Sequence, residues 1–345
     1  MKSVAVALGI LALSAPVREA IAGQRGADSP APARRHEFTP GVFHRQFSAL
    51  TPPALAISPG DIIRTTTLDA GGVDERNQQR SPPGNPQTGP FYVTGAKPGD
   101  TLAVHIVRLR LNRGWAVSDD AIVPRALGMV EALKSSGKPV RWKLDREKGL
   151  AMPEAPGEHL GAYVVPVRPM LGCIATAPAA GAPDTRDSGP YGGNMDFNEI
   201  VEGATVYLPV FAPGALLYFG DGHALQGDGE INGNALETSL DVEVRVDLIP
   251  ARSVPAPRVE TETHIMGMGL ARSIDEALRS ATANLAAWLS RDYHLTPSEV
   301  AEVIGTAVEY RISEVADRNA GVVAKLSKAR LASLIRYAEQ RAGRP

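Results

Sequence analysis

The stretch FGDGHALQGDGEINGNALE, residues 219–237, combines metal-binding and proton-handling side chains with glycines. Residues two apart in an extended strand point the same way, about 6.5–7 Å apart. Asp221 with His223, Asp228 with Glu230, and Asn194 with Asp196 are therefore expected to form pairs. An imidazole and a carboxylate paired in this way can reach one divalent ion. The glycines let the backbone bend tightly and let a substrate approach closely.

Other interpretations fit this stretch less well. A polar turn between two strands is the simplest, but such a turn needs only about two to five residues. Residues 228–233 imitate the first six positions of a calcium-binding EF-hand loop, but the twelfth position, Ser239, is not the required glutamate. The sequence also lacks a G-x-S-x-G elbow, an H-E-x-x-H helix and a G-x-x-x-x-G-K-[ST] phosphate loop. A metal-activated water is the hydrolytic mechanism that the residue types favour.

Two strings resemble the acetamidase/formamidase family: GGNMD at residues 192–196, and the run from Tyr207 to Glu237. The similarity extends over most of the chain, from Asp69–Gly72 to Tyr310–Ser313 and Gly321–Val323. The resemblance implies cleavage of short linear amides to a carboxylate and ammonia. It also implies a β-rich fold with an α/β portion, and an oligomeric assembly.

The resemblance also implies roles for individual residues. The expected metal ligands are Asp221 and His223, with Asp196 and Asp69 as second choices. Glu237 or Asp228 would act as the general base, although Glu237 could instead lie on a solvated strand face beside Ser239 and Asp241. The expected substrate-binding residues are Asn194, Gln226 and Glu230.

The expected cofactor is a divalent metal, for which the imidazole favours Zn²⁺ and the many oxygen ligands leave Ca²⁺ possible. The alternative function is a non-catalytic exported β-protein that binds Ca²⁺ or a small polar ligand through the same loop. Cys173 is the only cysteine and lies in an apolar stretch, so we expect a buried structural thiol.

The elements that must position these groups are mostly strands. Pro-Gly turns precede the β-branched runs that begin near Asp61 and Asp100, and apolar residues alternate with polar ones from Leu240 to Leu248. After residue 250 the period becomes helical, with start signals at Ser273–Glu276 and Thr296–Glu299 and a third helix expected over 324–342. The predicted class is α+β: a mainly β, sandwich- or barrel-like N-terminal region with an α/β C-terminal portion.

We divide the chain into a signal peptide (1–22), a linker (23–36), a β-rich catalytic region (37–250) and an α/β region that completes the same fold (251–345). Residues 4–13 form an apolar run too short to span a bilayer, followed by a small-residue cleavage site. These features predict export to the periplasm or medium, with no membrane attachment after cleavage. The net charge of −2 and scattered basic residues predict no nucleic-acid partner. A small amide and other copies of the chain are the expected partners.

Overall fold

The computed structural model describes residues 33–127, 137–332 and 334, which belong to one compact unit beginning at Ala33. The predicted signal peptide lies outside the described residues, as do the linker residues before Ala33. Strands dominate the described chain and helices are few, so the predicted α+β class is confirmed. No helix of this part of the chain is long and apolar enough to cross a membrane.

The first sheet has nine strands among the described residues. They are β1 (Arg35–Glu37), β3 (Ile62–Thr66), β5 (Thr101–Leu111), β13 (Thr205–Pro209), β16 (Leu240–Ile249), β17 (Arg258–Glu260), β18 (His264–Ala271), β19 (Glu309–Glu314) and β20 (Ala320–Ser327). Their order is β1-β3-β16-β5-β13-β17-β18-β20-β19. The pairs are antiparallel except β1 with β3, whose strands run parallel.

The second sheet has eleven strands in the described ranges. They are β2 (Leu55–Ile57), β4 (Gln87–Val93), β6 (Trp115–Asp119), β7 (Pro139–Asp145), β8 (Leu150–Pro153), β9 (Val165–Pro166), β10 (Met170–Ala175), β11 (Ser188–Gly189), β12 (Gly192–Asn194), β14 (Leu217–His223) and β15 (Glu237–Thr238). Their main order is β11-β12-β10-β14-β15-β6-β7-β8-β9, and β4 joins β14 to β2. Strand β14 therefore lies at a junction of the sheet, paired with β10, β15 and β4.

The largest hydrophobic core takes side chains from both sheets. Val104, Val242 and Val244 come from the first sheet, and Phe91 and Phe219 from the second, and all are buried. Valines 242, 244 and 246 are buried while Asp241, Arg245 and Asp247 are only half-buried, as the predicted alternation requires. Glu243 departs from it, because this carboxylate is buried in an ion pair with Arg35, and Leu248 is only half-buried. Strand β14 contributes Leu217 and Phe219 to this core, so the core anchors the strand that ends in Asp221 and His223.

Three helices are bounded within the described residues: α1 (Pro124–Leu127), α2 (Ile274–Asp292) and α3 (Pro297–Ala307). Ser273 caps α2 by accepting from the Glu276 amide, and Thr296 with Glu299 forms a full capping box at the predicted start of α3. Helix α2 packs on β18 and β20 through Ala277, Ala281 and Leu285. This contact needs a glycine, because a Cβ on Gly269 would collide with the Ala277 carbonyl.

The prediction of a third helix beginning at Ala324 is wrong. Residues 320–327 form β20, and helical geometry starts only at residue 328. The cause is tertiary: β20 pairs with β18 over eight residues and covers α2 with apolar side chains. A buried strand and a buried helix both appear as apolar runs in sequence, so periodicity alone does not distinguish them. The rest of that predicted helix, apart from residue 334, lies beyond residue 332 and outside the described part of the chain.

Candidate active site

A cluster of acidic side chains surrounds one histidine at the C-terminal end of β14. Asp221 and His223 are the last polar residues of this strand, and Glu237 on β15 is the direct cross-strand partner of His223. Asp196 follows β12, and Glu230 comes from the glycine-rich turn between β14 and β15. The predicted pairing of Asp221 with His223 is thus seen at the end of the strand.

The distances within this cluster are short. His223 Nε2 lies 3.2 Å from Glu237 Oε1, 3.4 Å from Asp221 Oδ1 and 3.9 Å from Asp196 Oδ1. Potential ligand atoms lie within 4.8 Å of one another in two overlapping groups that share the histidine. One group contains Asp196, Asp221 and His223, and the other contains His223, Glu230 and Glu237. The five side chains converge on one space.

Burying these five side chains together costs free energy when no cation is bound. Asp196 and His223 are fully buried, and the other three residues are at most 7% exposed. Carboxylates crowded together away from water repel one another and lose hydration. The arrangement is therefore one that a bound cation would stabilise.

Three of the acidic residues adopt a backbone conformation that non-glycine residues rarely use. The φ angles are 40° at Asp196, 59° at Asp221 and 46° at Glu230. Such conformations cost of order 1–3 kcal/mol each and cluster at functional sites. Their concentration on this cluster shows that the backbone is bent to aim these carboxylates inward.

His223 is held in one orientation by Gln226. The glutamine Nε2 donates to the carbonyl oxygens of Asp196, at 2.5 Å, and Ser313, at 3.1 Å. Its Oε1 therefore faces His223 Nδ1, at 2.9 Å, and can only accept. The proton of a neutral His223 must then sit on Nδ1, which leaves the Nε2 lone pair directed at the carboxylates.

The charges of the cluster shift its pKa values in the directions that crowding requires. Burial, then the Glu230 and Asp221 carboxylates, raise the pKa of Asp196 well above its usual value. Burial and neighbouring carboxylates also raise the pKa of Glu230 to about 8 and that of Glu237 to about 7, against the opposing effect of His223. Burial disfavours a charged His223, but the Glu237 and Asp221 carboxylates outweigh it and raise its pKa. Without a cation, protons compensate part of the negative charge.

The atoms left without partners show that the residues fit a metal ion. His223 Nε2, Asp196 Oδ1 and Glu237 Oε2 are buried and make no aligned hydrogen bond within the described residues. Buried polar atoms are almost always satisfied, so three unpaired atoms of neighbouring side chains are suited to bind a cation. One imidazole nitrogen with carboxylate oxygens is a donor set that suits zinc and similar divalent ions.

Asp69 is held away from this convergence. Its Oδ2 accepts from Arg113 Nη2 at 2.6 Å, and its Oδ1 accepts from the Val73 amide at 2.8 Å. Arg113 is buried, stacks on Trp115 and also donates to the Glu237 carbonyl. Both oxygens of Asp69 therefore accept hydrogen bonds within the protein, and Arg113 links Asp69 to the backbone of Glu237.

Asp228 points the opposite way from Glu230, although the sequence pairs them. Its carboxylate accepts two bonds from Arg311 and one from Asn198 Nδ2, and its side chain is 39% exposed. Burial alone would raise the pKa of Asp228, but the Arg311 and Asn198 hydrogen bonds lower it. A solvent-facing carboxylate paired with arginine is poorly suited to accept a proton in the buried cluster.

Asn194 connects the cluster to two parts of the chain that no sequence motif marks as functional. Its Nδ2 lies 2.6 Å from Asp196 Oδ2 and 2.7 Å from Asp317 Oδ2, and its Oδ1 accepts from Asn85. Asp317 and the buried Glu314 belong to no recognisable motif. Only the pairing of β19 with β20, and the bridge from Gly229 to Glu314, bring them here.

Comparison with known proteins agrees with this geometry. Residues 185–327, which contain the whole acidic cluster, match the Acetamidase/Formamidase family model. The predicted family resemblance is confirmed. The solved acetamidase from Yersinia enterocolitica is 28% identical, with a TM-score of 0.78, over 92% of this chain and 98% of its own. The acetamidase from Bacillus halodurans is 26% identical, with a TM-score of 0.75, over 87% and 99%.

Curated relatives of this chain carry matching names. The acetamidase of Mycolicibacterium smegmatis is 27% identical over 62% of this chain and 67% of its own. A putative formamidase of Schizosaccharomyces pombe is 25% identical over 60% of this chain and 64% of its own. The alignments thus span about two thirds of the length of these relatives.

Proposed function

We propose that the protein is a metal-dependent hydrolase that cleaves the C–N bond of short linear amides, formamide or acetamide in type, to a carboxylate and ammonia. Support for the enzyme class comes from the acetamidase and formamidase relatives, whose names indicate a hydrolase acting on linear amides. The observation that carries the metal dependence is the convergence of Asp196, Asp221 and Glu237 on His223 Nε2.

Asp196, Asp221 and His223 would hold the cation. When bound there, a divalent ion such as Zn²⁺ supplies Lewis-acid activation of an amide carbonyl and of water. The imidazole favours Zn²⁺ over Ca²⁺, which takes six to eight oxygen ligands. Gln226 supports this role by directing the Nε2 lone pair of His223 toward the carboxylates.

Glu237 is the proposed general base. Its Oε2 has no hydrogen-bond partner among the described residues, while its Oε1 lies 3.2 Å from His223 Nε2. It would take a proton from the attacking water and return it to the nitrogen of the breaking C–N bond. Such transfers contribute roughly 10²–10⁴-fold in rate.

Gln226 and Asn194 are proposed to orient other site residues rather than to contact the substrate. Each amide nitrogen and each amide oxygen of the two side chains already has a protein partner. Both hydrogens of each amide nitrogen are used in these bonds, so neither side chain can donate to a substrate without breaking one of them.

The function is tested by replacing His223 with Ala and assaying metal content and ammonia release from formamide, acetamide and longer amides. His223→Ala should lose both the bound cation and amide hydrolysis, while the exposed control His159→Ala should retain both. Ammonia release that persists in folded His223→Ala contradicts the proposed metal role. A bound metal in the unaltered chain, with no turnover of any amide, favours the alternative of a non-catalytic binding protein.

We also propose export and self-association. Support for export comes from the apolar run of residues 4–13 and the small residues that follow it. The intact mass of the chain recovered from the periplasm or medium tests this, since cleavage would remove about 15–22 residues. Light scattering of the recovered chain measures the number of subunits.

A further inference from the structure

A glycine lies at the base of the acidic cluster without any backbone reason to be one. Gly172 is in the middle of β10, and its neighbours Leu171 and Cys173 pair with Gly222 and Gly220, so it lies opposite Asp221. Its φ is not in the left-handed region, so any residue could adopt its conformation. Glycine inside a strand weakens the strand and often marks a site that a ligand approaches closely.

The space beside Gly172 explains the missing side chain. A Cβ built on this residue would lie 2.5 Å from Asp221 Oδ2, even closer to Asp196 Oδ1, and 3.0 Å from His223 Cε1. A single methyl group would therefore collide with three of the converging side chains at once.

Two of these three side chains, those of Asp196 and His223, cannot easily turn away. Asp196 Oδ2 is held by Asn194, and the His223 ring is held by Gln226. The Gly172 carbonyl itself accepts from the amides of Met195, at 2.9 Å, and Asp196, at 3.1 Å, so the backbone that carries Asp196 is bonded to Gly172. Strand β10 therefore cannot move away from the carboxylates without breaking the backbone hydrogen bonds that hold Asp196 in place.

We infer that Gly172 is a positioning residue of the cation site: its lack of a side chain keeps open the space into which Asp196, Asp221 and His223 project. The inference rests on the proposed function, because it assigns that space to the proposed cation. The cation site then depends on position 172 as well as on its ligands, because the residue there must have no side chain.

The test compares Zn²⁺ binding to the unaltered chain, Gly172→Ala and Gly157→Ala by competition with a chromogenic chelator. Gly157 is the matched control, since a Cβ there meets nothing within 4 Å and its φ is ordinary. Gly172→Ala should bind Zn²⁺ roughly 100-fold more weakly, at the upper end of the effects seen when the surroundings of metal ligands are altered. Gly157→Ala should bind as the unaltered chain does.

A stability comparison keeps the inference testable if Gly172→Ala folds poorly. Unfolding is followed in urea, with chelator present, for Gly172→Ala, Asp196→Ala and the double variant. Contact between the new methyl and the Asp196 carboxylate predicts non-additive effects, with the double variant recovering part of the loss caused by Gly172→Ala. Strictly additive losses overturn the inference, as does a double variant that folds no better than Gly172→Ala.

The outcomes separate this inference from the proposed function. Zn²⁺ binding by Gly172→Ala equal to that of the unaltered chain overturns the role of Gly172 and leaves the metal-dependent function standing. Failure of the unaltered chain itself to bind a divalent ion removes the proposed metal dependence and the assignment of the space together.

Discussion

At the scale of single residues, surroundings rather than residue type decide which carboxylate can do chemistry. Asp228 lies in the turn between β14 and β15 and Glu237 directly follows it, but Glu237 faces the buried histidine while Asp228 faces Arg311 at the surface. An unpaired carboxylate in a buried cluster can exchange a proton with a reacting group. A carboxylate that accepts two hydrogen bonds from an arginine stays ionised and bound to that arginine.

Replacing Glu237 with Gln should reduce ammonia release from acetamide by roughly 10²–10⁴-fold, because the base is removed while size is kept. Bound cation should remain at the level of the unaltered chain, which elemental analysis measures. Asp228→Asn is the matched control and should retain most activity. Loss of the cation from Glu237→Gln would show that Glu237 is a ligand rather than the base.

Gln226 should matter for metal affinity rather than for substrate affinity. Gln226→Ala removes the acceptor that fixes the His223 ring, so Zn²⁺ should bind roughly 10–100-fold more weakly. Chelator competition measures this, with the exposed Gln46→Ala as control. A variant with normal Zn²⁺ affinity and a raised KM would instead support the substrate contact expected from the sequence.

At the scale of elements, a buried arginine fastens the segment after β3 to the strand that carries Glu237. Arg113 donates to Asp69, Thr238 and the carbonyls of Trp115 and Glu237. Removing one member of a buried ion pair leaves the other charge uncompensated. The Asp69–Arg113 pair is therefore a structural support for β15, close to the site but outside the convergence of ligands.

Arg113→Met should lower the free energy of unfolding by about 3–5 kcal/mol, because Asp69 keeps its charge in a buried position. Adding Asp69→Asn to the same chain should restore part of that loss. Urea unfolding of the single and double variants measures both effects. An unchanged unfolding free energy in Arg113→Met would contradict the supporting role.

The edge strand β1 is fastened by a second carboxylate, Asp61. Its oxygens accept from the Arg34 and Ser58 amides at 2.9 Å and lie 2.8 Å from His36 Nε2. Burial opposes ionisation, but the Ser58, His36 and Arg34 hydrogen bonds lower the pKa of Asp61 below its usual value of 3.8. The carboxylate thus stabilises the fold fully above about pH 3.8, and this contribution is lost as the pH falls through the lowered pKa.

Asp61→Asn should therefore be less stable than the unaltered chain near neutral pH, and the difference should shrink below about pH 3.8. Urea unfolding at a series of pH values checks the sign, with the exposed Glu147→Gln as a charge control. A difference that stays constant into acid would contradict the assignment to the Asp61 carboxylate.

At the scale of the whole molecule, the cation and the fold should stabilise each other. Five buried ionisable groups meet in one space, so a ligand that binds only the folded chain should raise its stability by mass action. Zn²⁺ at about 100 times its dissociation constant should add about 2.7 kcal/mol. Thermal unfolding after chelation and after re-addition of Zn²⁺ measures this, and His223→Ala should show no rise. A melting temperature unaffected by chelation would contradict the proposed coupling.

The strands could be predicted from the sequence where the alternation of apolar and polar residues matches the face that is buried. Val242, Val244 and Val246 alternate because one face of β16 is buried, and Asp221 with His223 could be paired because both lie on a single strand. The separation of Asp228 from Glu230 could not be predicted, since it depends on a left-handed backbone at Glu230 and on Arg311. The engagement of Asp69 depends on Arg113, which lies 44 residues away in the chain.

The bond between Gln226 and the Ser313 carbonyl spans 87 residues of chain, and that between Asn194 and Asp317 spans 123. Synthesis proceeds from the N-terminus, so a growing polypeptide holds every proposed cation ligand long before it holds the hairpin that braces them. Contacts so distant in sequence also form slowly, because long loops must close first. Amide hydrolysis should therefore begin only after the segment that carries Ser313 and Asp317 has been synthesised and has folded onto the cluster.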